Sequence, residues 1–152
     1  MTAIAVDTSA IIAILRNEPE KDRFVDAILA ASNRFLSAVS LQELGMVVAG
    51  RHGDDRTWEP LEALLARLNL EIVAHDANLA RIARAAFLRF GKGRHPARLN
   101  FGDCATYALA KANNLALLFK GDDFTKTDIA VAVPAACRRN AGRRQQADPA
   151  QP

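Results

Sequence analysis

Apolar and polar positions along the chain change period repeatedly, and the changes divide it into short strands and amphipathic helices. Ala3–Val6 is a short apolar run, followed by Asp7-Thr8-Ser9 and then by Ile11, Ile12 and Leu15 at helical spacing. Phe24, Ile28 and Leu29 mark one face of a second helix, which ends before Ser32-Asn33. Phe35–Val39 has strand character, and Ser40 opens a helix through Glu43, Leu44, Val47 and Val48 that ends near Gly50. Gly53-Asp54-Asp55 is a loop, and Trp58, Leu61, Leu64, Leu65 and Leu68 form a further apolar stripe. Glu71–Ala74 is a strand, and Asp76 caps a helix carrying Leu79, Ile82, Ala83, Ala86, Phe87 and Phe90. Gly91 stands where the end of that helix calls for a left-handed residue. A basic loop over 91–99 leads to a helix from about Asp103 to Ala112, then to strands Leu115–Phe119 and Ile129–Val133. Strands alternating with helices predict an α/β protein whose mostly parallel sheet is covered on both faces.

The chain has 152 residues, half of them apolar, which suits one domain with a core that needs no disulfide or structural metal. Cys104 and Cys137 form no metal-binding spacing, and Cys104 is read as a small core residue. No apolar run reaches the ~18 residues of a membrane span, and no leader pattern precedes Asp7. The expected location is the cytoplasm. The net charge of +3 resides in the segment from Arg138, where four arginines face Asp148, so residues 1–137 carry 16 basic and 16 acidic groups. We therefore expect a domain over 1–137 and a disordered basic tail over 138–152. Within the balanced part, residues 77–102 hold no acid but contain Arg81, Arg84, Arg89, Lys92, Arg94, His95 and Arg98. That stretch is suited to phosphates.

The acids carry the chemistry. In open parallel sheets, ligands bind beyond the carboxyl ends of the strands. Asp7 follows the first strand directly, and Asp122 and Asp123 follow Leu115–Phe119. Glu43 lies early in the helix after Phe35–Val39, and Asp103 opens the helix after the basic loop. Each has a plainer explanation. Ser40 to Glu43 reads as a capping box, Asn100 to Asp103 as another cap, and Asp122-Asp123 as turn residues. Jointly those explanations are weaker, because independent caps need not meet at one sheet edge. Like charges gathered there require a cation, and oxygen ligands without a Cys/His set favour Mg²⁺ or Mn²⁺ over zinc.

These same residues resemble the PIN-domain nucleases. Ile4-Ala5-Val6-Asp7-Thr8-Ser9-Ala10 is similar to the opening of that family, and Leu41-Gln42-Glu43-Leu44 to its second acidic position. Asn100-Phe101-Gly102-Asp103-Cys104 fits the third, and Leu117–Phe124 the last. The order holds over about residues 1–133, most like the VapC-type toxins of bacterial toxin–antitoxin pairs. The resemblance implies a three-layer α/β/α sandwich, Mg²⁺- or Mn²⁺-dependent endoribonuclease activity, a homodimer and a cognate VapB-like antitoxin. Asp7 and Asp103 would be metal ligands, with Asp123, or alternatively Asp122, as the fourth acid. Glu43 would position or deprotonate water, or help hold a second ion. Thr8 and Ser9 hydroxyls are candidates for orienting the phosphate, and Arg94 and Arg98 for binding flanking phosphates. The antitoxin would place an arginine among the acids and anchor on Ile11, Ile12, Leu15 and Phe24.

Two other classes fit less well. A haloacid-dehalogenase-like phosphatase needs a second Asp two residues after the first, where this chain has Ser9, and leaves Glu43 unused. A receiver-type signalling domain needs an Asp after a middle strand, where this chain has Ser40.

Overall fold

The computed structural model describes residues 2–50, 53, 54 and 56–132; Val133, Cys137 and the proposed tail over 138–152 lie outside the described residues. Four strands alternate with helices: β1 (Ala3–Val6), α1 (Thr8–Leu15), α2 (Lys21–Ala30), β2 (Asn33–Ser37), α3 (Ala38–Ala49) and α4 (Glu59–Arg67). Then follow β3 (Glu71–Val73), α5 (Ala77–Phe90), α6 (Phe101–Ala112), β4 (Ala116–Leu118) and a short 3₁₀ turn, Phe124–Lys126. The sheet is parallel, in the order β3-β2-β1-β4. The chain therefore builds to one side of β1 and then crosses to the other. The crevice between the carboxyl ends of β1 and β4 is the point where the strand order reverses.

Side chains alternate across the sheet, and both faces are apolar. Ile4 and Val6 of β1, Leu36 and Leu118 point into a core shared with α1, α2, α3 and α4, which includes Ile11, Ile28 and Leu44. Ala5, Phe35 and Leu117 point the other way, into a core with α5 and α6 that includes Leu99, Tyr107 and Leu109. Each fully buried leucine there contributes roughly 1.5–3 kcal/mol by leaving water. Three layers result.

Several expectations are corrected. The capping Ser is Ser37, whose side chain accepts from Val39 N–H at 3.2 Å, so α3 starts earlier and β2 ends earlier than the apolar pattern suggests. Ile129–Val133 is no strand among the described residues: Val131 forms one isolated parallel bridge with Leu117. Gly91 ends α5 with extended backbone (φ −69°, ψ 157°), not left-handed. It is glycine because a Cβ there would lie 2.3 Å from the Phe87 carbonyl oxygen. Trp58 stands outside the α4 stripe, half exposed, and donates its indole N–H to the Gly45 carbonyl at 2.9 Å. Ile11 and Phe24, expected to offer surface to a peptide, are core residues, and Ile12 and Leu15 are partly buried against the same core. The caps at Asp76 and Asn100 form as expected. No helix of the described residues is long and apolar enough to cross a membrane.

Candidate active site

The site begins with Asp7, which ends β1 and caps α1. Its Oδ2 accepts from the Ser9 amide at 2.9 Å and from the Ser9 hydroxyl at 2.6 Å. Its own amide donates to the Leu118 carbonyl at 2.9 Å, tying the acid to the end of β4. The Ser9 hydroxyl also accepts from the Lys120 amide at 3.0 Å. Asp7 is thus buried and held from two strands, as an N-cap and as a member of the switch-point crevice. The Ser9 hydroxyl thus links Asp7 to the Lys120 amide and fixes the acid's orientation. Thr8 is buried beside it.

Glu43 reaches the crevice from α3. Because the helix starts at Ala38, Glu43 lies in its second turn and makes no capping box with Ser40. Ser40 is instead completely buried, with its Oγ 3.1 Å from Thr106 Oγ1 on α6. That contact brings the Glu43 carboxylate against the start of α6, where Gly102 leaves space for it.

Asp103, the third candidate acid, is also a cap. Its amide donates to Asn100 Oδ1 at 3.0 Å, and its Oδ2 accepts from the Asn100 amide at 2.8 Å, closing a capping box. Burial pushes its carboxyl up to about 6; the Asn100 amide pulls the other way, and the charges of Asp7, Asp123 and Glu43 push up again. Acids from three other segments therefore act on Asp103 electrostatically. Asp123, at the start of the 3₁₀ turn, belongs to that group. Asp122 is highly exposed and faces Lys126 at 3.2 Å.

The donor set suits a hard divalent cation. Among the described residues, no three such side chains stand close enough to cage an ion as they are. Mg²⁺ characteristically takes only one or two carboxylates, with waters in its remaining positions. Burial, and the neighbouring Asp103 charge, push the Cys104 thiol up to about 11, so it is the unreactive core residue expected.

The basic loop stands outside the acid cluster. Lys92, Arg94 and Arg98 are exposed, and the Arg94 guanidinium lies 5.6 Å from the centre of the Phe87 ring. His95 braces the loop: its Nδ1 accepts from the Ala97 amide at 3.1 Å and its ring meets Phe90 edge-on. Sequence reasoning missed Gly102 and the Ser40–Thr106 contact. The only trace was that Ser40 and Glu43, and Asp103 and Thr106, are each one helical turn apart.

The fold and this crevice define a class, the parallel α/β domains that gather carboxylates at a switch point. The PIN-domain family model matches residues 4–130. Ribonuclease VapC30 of Mycobacterium tuberculosis is 46% identical over 132 residues, 86% of this chain and 100% of that one. Ribonuclease VapC of Mycolicibacterium smegmatis is 43% identical over 127 residues, covering 84% and 98%. The crystal structure of VapBC2 from Rickettsia felis, bound to a promoter DNA fragment, superimposes with a TM-score of 0.68 at 16% identity, across 86% of this chain and 96% of that one. This last likeness attests the fold. The chain belongs to the PIN-domain family and, within it, to the VapC ribonucleases.

Proposed function

We propose that this protein is an endoribonuclease that hydrolyses RNA phosphodiester bonds with Mg²⁺ or Mn²⁺, as the toxin of a toxin–antitoxin pair. The observation that carries the reading is the buried Asp7 at the carboxyl end of β1, in the switch-point crevice, together with the Glu43 carboxylate resting against Gly102 next to Asp103. Asp7 and Asp103 would hold the cation, with Asp123 as a further direct or water-mediated ligand. Asp122 is the lesser candidate, because its carboxylate pairs with Lys126. When bound, the cation supplies Lewis-acid polarisation of the scissile phosphate.

The remaining roles belong to the chain. Ser9 holds Asp7 Oδ2 in place through two hydrogen bonds. Glu43 orients the attacking water and accepts its proton as the new P–O bond forms and the bond to the leaving sugar oxygen breaks. The exposed guanidiniums of Arg94 and Arg98 bind phosphates on either side of the cut. A VapB-like antitoxin is the regulatory partner, and the active form is a homodimer working in the cytoplasm. Exposed Met46, Val47, Phe87, Leu88 and Phe101 give such partners apolar surface to cover.

Two experiments test this reading. Purified protein should cut an RNA oligonucleotide internally and leave a phosphate monoester untouched; turnover of the monoester with intact RNA would overturn it in favour of a phosphatase. Replacing Arg94 and Arg98 with alanine should weaken RNA binding and lower its salt slope by about one for each phosphate no longer neutralised. Fluorescence anisotropy across a salt series, in the Asp103→Asn background, checks this. An unchanged slope moves the RNA path off the basic loop.

A further inference from the structure

We propose that Gly102 is a positioning residue for the reaction: its missing side chain is the notch that seats the Glu43 carboxylate beside Asp103. The inference rests on Glu43 being the residue that handles the attacking water. A Cβ at Gly102 would lie 2.2 Å from Glu43 Oε2, 3.1 Å from Glu43 Cδ and 3.4 Å from Asn100 Oδ1. The first distance is shorter than any real carbon–oxygen contact, so with any other residue the carboxylate must move.

Backbone conformation does not explain the glycine. Gly102 is the second residue of α6, it is absent from the left-handed positions of the chain, and it is buried. Glycine is among the poorest helix formers, so here it weakens α6 locally. What it leaves room for is the acid of a neighbouring helix.

Glu43 cannot give way by a shift of α3. One turn from it on α3, Ser40 is completely buried and its hydroxyl meets that of Thr106, one turn from Asp103 on α6. Residue 40 pairs with 106 as 43 meets 102, so the two helices run past each other in opposite directions. The hydroxyl contact sets their spacing, and the notch determines where the carboxylate rests within it. An alanine at 102 leaves Glu43 only side-chain rotation, which carries the carboxylate off its seat.

Kinetics of Gly102→Ala, Glu43→Gln, Glu43→Asp and the double variant Gly102→Ala/Glu43→Asp test this. Glu43→Gln should lose at least about a hundredfold in kcat. Gly102→Ala should lose tenfold or more in kcat, with KM for RNA within threefold of wild type. Its melting temperature should be equal or higher, since alanine favours the helix and displaces only the end of a flexible side chain. Aspartate is one methylene shorter and clears the new methyl, so Gly102→Ala should cost less than twofold when added to Glu43→Asp. Wild-type kcat in Gly102→Ala with Glu43→Gln inactive overturns the inference alone. Wild-type kcat in Glu43→Gln overturns the assignment of Glu43 and the inference with it. Equal losses from Gly102→Ala in the Glu43 and Glu43→Asp backgrounds overturn it too, because the glycine then acts independently of the acid. If Gly102→Ala does not fold, the double variant should; its failure to fold would show that the glycine serves the backbone.

Discussion

Asp7→Asn and Asp103→Asn should each lower RNA cleavage by about a thousandfold while leaving the fold intact. The loss follows from removing a cation ligand: several kcal/mol of charge stabilisation in the transition state disappears, and each ~1.4 kcal/mol is tenfold in rate. The fold survives because the polar contacts are of kinds asparagine can keep. Asn at 7 remains a good N-cap and still accepts from Ser9.

For Asp103 the sign on stability is opposite to that on activity. Its carboxyl titrates at about 6 in the folded protein, above its ordinary 3.8, through burial and the charges of Asp7, Asp123 and Glu43. The native state thus holds a proton that the unfolded chain has released between those values. The destabilisation is absent below about pH 4, grows as pH rises, and is complete above about pH 6. Asp103→Asn removes it. Metal-free protein at pH 7.5 should gain on the order of 1–2 kcal/mol, after allowance for the part of Asp103 that water screens. That is a rise of roughly 3–8 °C in Tm. Calorimetry in EDTA measures it, and the gain should vanish at about pH 4. Wild-type cleavage by either variant would remove that residue from the site. A lower Tm for Asp103→Asn at pH 7.5 would show that the capping role outweighs the repulsion.

Chelation should have a still larger effect. Protein stripped with EDTA should cut RNA no faster than a buffer control, and added Mg²⁺ or Mn²⁺ should restore cleavage. The same ions should raise Tm, by roughly 2.7 kcal/mol of stability at a hundredfold excess over Kd. The rise should be greater at pH 7.5 than at pH 5, because proton and cation compete for Asp103. Cleavage that persists undiminished in stripped protein would end the metal-assisted reading. A Tm indifferent to the ions in wild type would place the cation elsewhere.

Much of this architecture is local and therefore legible in the order of residues. Ala3–Val6 ending in Asp7, the cap at Asp76, and Asn100 with Asp103 are short-range patterns whose hydrogen bonds close within three residues. The alternation of buried strands with apolar-faced helices likewise dictates a parallel sheet covered on both sides. Even the location of the acids at strand ends follows from the sequence, as does the split between a basic loop and an acidic crevice.

What only the tertiary structure decided involves side chains brought together from distant segments. Ser40 has the spacing of a cap, yet it pairs with Thr106, 66 residues away, because Ser37 takes the cap and draws Ser40 into the α3–α6 seam. Asp122 and Asp123 are adjacent and chemically equal in the sequence; the 3₁₀ turn sends one toward Lys126 and couples the other to Asp103. Gly102 shows no purpose until α3 lays Glu43 across it. The physical reason is common to all three cases. Hydrogen-bonding capacity and helical period are properties of a segment, whereas distance and burial exist only once two segments have packed, and these set which neighbours a carboxylate meets and where it rests.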